Sequence, residues 1–148
     1  MIAMAKSLNL ILLFFCLGIV LATRAADRDD FNFHGAVSWS FAEKNLEAGG
    51  GVLYYPWDTL GVGPRYQTNP TFDFGGVEVR WSVEPFELWL AGGAASPDFK
   101  EWVLLGLGGL NYLIALTDSI SLVNQAQFYL GDKRFEGLLL GLGARVIY

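Results

Sequence analysis

The ionisable residues that could do chemistry in this chain are few and unusually placed. Glu78 and Arg80 stand two apart, Glu87 follows, and Arg65 and Arg145 sit singly in apolar or small-residue surroundings. The one histidine, His34, has Ser38 and Ser40 downstream of it at even spacing. Histidine and serine together make an activated nucleophile only where the base reaches the hydroxyl. In an extended strand the four residues from His34 to Ser38 span about 13 Å, beyond hydrogen-bond reach. A base from another strand would be needed, and nothing in the sequence specifies one, so no catalytic residue is assigned and no enzymatic activity is expected. One histidine, one cysteine and scattered carboxylates do not form a recognisable metal shell, and no cofactor is expected either. The run Gly49-Gly50-Gly51 lacks the Lys and Ser/Thr of a phosphate-binding loop and reads as a tightly packed or bulged strand.

The opening of the chain does not belong with these residues. Lys6 precedes an unbroken apolar run from Leu10 to Ala22, and Thr23-Arg24-Ala25 then places small residues where a signal peptidase reads. The run is shorter than the roughly twenty residues of a transmembrane helix. Residues 1–25 are therefore expected to be a cleavable signal peptide, and 26–148 the folded domain. Cys16 lies within that leader, so the mature chain should have neither a disulfide nor a thiolate metal site. The net charge of −5 argues against a nucleic-acid partner.

Composition then presents a conflict. The chain is 53% hydrophobic and 17% charged, with 18 glycines and 15% aromatics, whereas an ordinary soluble domain has about 25% charged residues. Beyond the leader, no stretch is apolar enough to cross a bilayer as a helix. The other structure that satisfies every backbone group in lipid is a closed barrel of strands.

The hydropathy pattern supports strands. Phe31, Phe33, Val37, Trp39 and Phe41 alternate with Asn32, His34, Ala36, Ser38 and Ser40; Leu138, Leu140, Leu142, Ala144, Val146 and Tyr148 alternate with Gly141, Gly143 and Arg145. Period two puts each set on its own face. Three short breaks, in YYPWDTLGV, WSVEPFELW and IALTDSISL, look like one hairpin unit used repeatedly. Alternating them with more polar breaks near 43–45, 67–70, 96–101 and 131–134 yields eight strands. They fall near 31–42, 47–55, 59–67, 71–83, 86–95, 102–115, 119–130 and 135–148. The third, with Gly61, Gly63 and Pro64, carries the weakest pattern. Without it the count is seven, against the even-number rule for bacterial barrels.

Alternation alone does not say which face points inward: a lipocalin-type barrel turns its apolar face in, a membrane barrel turns it out. The polar face here is mostly Ser, Asn, Gln, Gly and Ala rather than dense Lys and Glu, which favours a lumen. Aromatics near the strand ends (Phe31, Phe41, Trp81, Phe86, Trp102, Tyr112 and Tyr148) suit interfacial girdles. The ending LLLGLGARVIY resembles the C-terminal assembly signal of outer-membrane β-barrel proteins, through Leu142, Ala144, Val146 and Tyr148. The segment from Gly108 to Tyr148 is similar to the closing hairpins of the OmpA/OmpX-like small-barrel group. That resemblance implies an all-β, antiparallel up-and-down barrel of eight strands in the outer membrane of a Gram-negative-type bacterium. It also implies outer-membrane lipids and the barrel-assembly machinery as partners, and it leaves oligomeric state open.

With the apolar face outward, Arg65, Glu78, Arg80, Glu87 and Arg145 all fall inside. An eight-stranded barrel is just wide enough for side chains to fill it. Opposed Glu and Arg groups should then form an ion-pair plug, for which the fixed fork of Arg is well suited. The alternative is a narrow pore lined by the same groups. A structural or envelope-maintenance barrel is the expected function, with a small transport or ligand-binding barrel as the alternative and a lipid-modifying enzyme less favoured. The outer connections, about four to seven residues each, are short for a receptor or adhesin.

Overall fold

A computed structural model describes residues 30–97, 101–131 and 137–148. The expected leader lies outside the described residues. Eight strands follow in order: β1 (Phe31–Ser40), β2 (Asn45–Trp57), β3 (Leu60–Asn69), β4 (Phe72–Val83), β5 (Phe86–Pro97), β6 (Val103–Ala115), β7 (Ile120–Leu130) and β8 (Leu138–Ile147). Each pairs antiparallel with the next, and β8 pairs with β1 to close the barrel. The strand of weakest pattern, β3, is present. Pro64 has no N–H to donate, yet β3 stays in register with β4 through Pro64 opposite Val77, and the irregularity on its other side falls between Tyr54 and Trp57.

Local chemistry explains the turns. Asn69 ends β3, and its side-chain oxygen accepts from the backbone N–H of Thr71 and of Phe72, at 2.7 and 2.9 Å. An Asx turn of this kind reverses the chain in few residues. Thr117 does the same between β6 and β7, its hydroxyl accepting from the backbone N–H of Ser119 and Ile120. The β1–β2 turn places Lys44 at φ 56°.

Register around the barrel determines its shape. A single row of paired residues leaves β6 at Ile114 and passes through Leu122, Ala144, Gly35, Gly50, Tyr66, Gly75 and Ala94. It returns to β6 at Leu104, so one circuit shifts the register by 114 − 104 = 10 residues. A stagger of ten over eight strands corresponds to strands tilted by roughly 40° from the axis. Cross-strand rows therefore climb from the end bearing the termini toward the end bearing the β1–β2, β3–β4, β5–β6 and β7–β8 connections, here called the loop end.

Closure at this stagger needs close backbone approach. A Cβ added to Gly143 would run into the Gly35 carbonyl, and one added to Gly93 into the Gly75 carbonyl. Glycine removes that collision.

The two faces separate cleanly. Val37, Leu46, Val77, Trp81, Leu88, Leu90 and Leu104 are exposed on the outside, and Asn32, Ser38, Ser40, Glu47, Gln67, Ser82 and Gln127 are buried inside. Exposed aromatics gather at both rims: Phe31, Tyr54, Trp57, Trp81, Phe86 and Tyr148 at the terminal end, and Trp39, Phe41, Trp102 and Phe128 at the loop end. Tyr112 departs from the expected girdle. It is only 3% exposed, with its ring 5.3 Å from that of Phe86.

The lumen is less polar than alternation alone implies. Phe72, Phe74, Trp89, Ala91, Ala95, Leu105 and Leu107 form an apolar cluster along β4, β5 and β6 toward the loop end. Leu53, Tyr55 and Ile147 form another near the terminal end. An eight-stranded barrel has to be filled, and apolar side chains fill it without a desolvation cost.

Candidate functional site: the charged lumen

Glu78, Arg80 and Ser82 point inward at successive even positions of β4, and the register places Ser82 opposite Glu87 of β5. Arg65 comes from β3 and Arg145 from β8, the latter opposite His34 of β1. Strand alternation aims each of these side chains at the axis, and closure of the sheet brings them together.

All five charges expected inside are buried and form one connected cluster. Arg80 lies between the two carboxylates: its Nε donates to Glu78 at 2.7 Å and its Nη1 to Glu87 at 2.9 Å. Arg65 donates to the other Glu78 oxygen at 2.8 Å, and Arg145 to Glu87 at 2.9 Å. Glu87 also accepts from Ser82 at 3.2 Å and Asn111 at 3.0 Å. The order is thus Arg65, Glu78, Arg80, Glu87, Arg145, with positive and negative groups alternating. Alternation of this kind lets each buried charge keep opposite neighbours, without which burial is very costly. The Arg65 guanidinium further lies 4.0 Å from the ring centroid of Trp89, a cation–π stack.

His34 belongs to the same cluster. Its Nε2 is 3.2 Å from Glu78 Oε2, the oxygen that Arg65 also contacts. Since Glu78 is a carboxylate flanked by two guanidinium groups, Nε2 acts as the donor there. The geometry pairs His34 with a structural carboxylate across the barrel.

A second polar group was not singled out from the sequence. Glu47 of β2 is 2% exposed and accepts from Gln67 at 2.6 Å, from Asn69 at 3.3 Å and from the Tyr129 hydroxyl. Gln67 also accepts from Arg65 at 3.3 Å. One amide therefore bridges the five-charge cluster to Glu47, whose named donors are all neutral. The five charges sum to +1 with His34 neutral, and Glu47 brings the lumen group to zero. Glu47 and Gln67 are buried at inward positions of β2 and β3; what the sequence does not reveal is that β2, β3 and β7 converge there.

The hydrogen-bonded chain runs nearly the length of the barrel. From Ser121, which accepts from Arg145 at 3.3 Å, it passes through the five charges, Gln67 and Glu47 to Asn69 and Glu43 near the loop end. Leu53, Tyr55, Leu113 and Ile147 are buried near the terminal end of the lumen, and Tyr55 bonds to Ser82 at 3.2 Å. Ionic, polar and apolar side chains together occupy the interior. Leu142, Ala144 and Val146, by contrast, face outward on β8, and Tyr148 just beyond its end is exposed.

No protein-family model matches the sequence, and a search of curated proteins by sequence finds no match. Solved structures do match. The N-terminal β-barrel domain of Pseudomonas aeruginosa OprF is similar at a TM-score of 0.60 and 12% identity, over 82% of this chain and 98% of that one. A de novo designed transmembrane β-barrel is similar at a TM-score of 0.58 and 14% identity, over 84% of this chain and 99% of that one. The de novo designed protein TMB2.3 is similar at 0.53 and 18%, over 81% and 94%. At these identities the likeness is one of fold. The chain is an all-β, antiparallel, closed eight-stranded barrel with the fold of the small transmembrane β-barrels.

Proposed function

We propose that this chain is a structural or envelope-maintenance barrel of the outer membrane of a Gram-negative-type bacterium, exported through a signal peptide and without catalytic activity. The observation that carries the reading is the filled lumen. Three guanidinium groups and two carboxylates are mutually paired within it, and apolar clusters occupy both halves. Such packing among the described residues favours a plug over a pore. His34, the best base available, is engaged by Glu78 rather than by a serine. The apolar outer face with two aromatic rims suits outer-membrane lipids as the surrounding partner. Leu142, Ala144, Val146 and Tyr148 are the residues proposed to be read by the barrel-assembly machinery during insertion.

The test combines location with conductance. The protein should fractionate with outer membranes and migrate differently in SDS gels when unheated and boiled. Reconstituted in planar bilayers it should show no stable current. Recovery in the soluble periplasm without a heat-dependent shift would remove the location. A steady current whose ion selectivity changes in Glu87→Gln would replace the plugged reading with a small transport barrel.

A further inference from the structure

The outer face is not evenly convex. Across β8, β1, β2 and β3 it carries a trough of about 660 Å3 with Ala144, Gly35 and Gly50 as its floor. Leu142 and Val37 stand beside that floor, and Tyr66 and Thr68 close one end. Cross-strand register is the cause. Ala144 pairs with Gly35, Gly35 with Gly50, and Gly50 with Tyr66. Three outward positions with at most a methyl group thus lie side by side, before the row meets an aromatic ring. Three inter-strand steps from Ala144 to Tyr66 make the trough about 14 Å long. Because the row climbs with the barrel's stagger, the trough slopes toward the loop end and finishes at Tyr66.

That upper end is polar and charged. The Tyr66 hydroxyl donates to Asp73 Oδ1 at 2.6 Å, and Thr68 is Asp73's register partner and hydrogen-bonds to it. Asp73 points outward from the second position of β4. Both partners are neutral, so its charge is unbalanced among the described residues. An apolar furrow that rises to an unbalanced carboxylate is complementary to an amphiphile with a positive head. A second copy docked symmetrically on the same patch would instead bring a second Asp73 toward the first, with like charges at the edge of a low-dielectric phase.

We propose that this trough seats one acyl chain of an amphiphile whose amine headgroup rests against Asp73, an ethanolamine-headed phospholipid being the simplest such molecule. The inference rests on the apolar face lying in lipid, as proposed above. The purified barrel would be reconstituted with equimolar phosphatidylethanolamine and phosphatidylglycerol, released into detergent, and its retained lipids counted by native mass spectrometry. Wild type should keep one lipid, with the ethanolamine form in excess. Gly35→Leu fills the floor at a position where a Cβ meets only the Gly49 carbonyl, at 3.7 Å. It should lower retention of both lipids about tenfold, equivalent to roughly two buried methylenes. Asp73→Asn should keep retention but abolish the headgroup preference. Absence of retained lipid on a barrel that inserts and shows the heat-dependent shift would overturn this inference alone. So would unchanged retention in Gly35→Leu, an unchanged preference in Asp73→Asn, or a wild-type dimer that Gly35→Leu dissolves. Failure of wild type to enter vesicles would instead remove the membrane reading beneath it.

Discussion

Neutralising Glu87 probes the lumen cluster most directly. The side chain is fully buried and accepts from four donors: Arg80 and Arg145 at 2.9 Å, Asn111 at 3.0 Å and Ser82 at 3.2 Å. Glu87→Gln keeps the shape but removes the charge and turns one acceptor oxygen into a donor facing donors. Arg80 retains Glu78, whereas Arg145 loses the Glu87 carboxylate and keeps its bond to Ser121. Breaking a buried ion pair from one side costs about 3–5 kcal/mol, and the remaining contacts place this case near 3 kcal/mol. With a urea slope of about 2 kcal/mol/M, the unfolding midpoint should fall by about 1.5 M. Tryptophan fluorescence in lipid vesicles, with reversibility checked from both directions, measures it. If the cost lies in the lost pairing of Arg145 with Glu87, the double variant Glu87→Gln/Arg145→Met should be less destabilised than the sum of its two single variants. A midpoint shift below about 0.3 M at unchanged slope, or strict additivity in the cycle, would refute the reasoning that these charges are held by one another.

Three further outcomes follow from the same geometry. Val79 is exposed on the outer face, so Val79→Arg should cost roughly 2–4 kcal/mol in lipid if it lies near the midplane, while Ser38→Ala inside should cost well under about 1 kcal/mol; equal costs in vesicle unfolding would mean the faces are inverted. Tyr129→Phe removes one donor from buried Glu47 and should destabilise by about 1–3 kcal/mol, with Gln67→Leu more severe because it also cuts the bridge to Arg65; indifference in both would separate the loop-end network from stability. Gly143→Val would press a side chain into the Gly35 carbonyl at the β1–β8 seam, so the heat-dependent gel shift that marks a closed barrel should be lost, whereas Gly75→Val, with open space around its Cβ, should keep it.

Local rules of the chain were enough to determine the strands and their faces. Period two at Phe31–Ser40 and Leu138–Ile147 reflects side chains alternating across a strand, a property of the backbone that needs no partner. Turn residues such as Asn69 and Thr117 act within three positions of themselves, so the breaks were legible too. The same parity put Arg65, Glu78, Arg80, Glu87 and Arg145 on the face opposite the apolar one, which composition and the aromatic rims then assigned to the inside. Strand β6 shows where that reading ends. Its segment VLLGLGGLNYLIA has apolar residues on both faces, so periodicity does not announce that Leu105, Leu107 and Leu113 fill the lumen.

Tertiary structure decided everything that depends on stagger. Parity is settled residue by residue, but the height at which two distant strands face each other depends on the sum of all eight registers, ten residues per turn of the barrel. The registers from β8 through β4 set His34 and Arg65 on one oxygen of Glu78, bridge Arg65 to Glu47 through Gln67, and align Ala144, Gly35 and Gly50 beneath Tyr66. A one-residue change in any register would keep every strand in place while turning that strand's charges toward lipid, which is why the order of strands was readable and the pairing of charges was not.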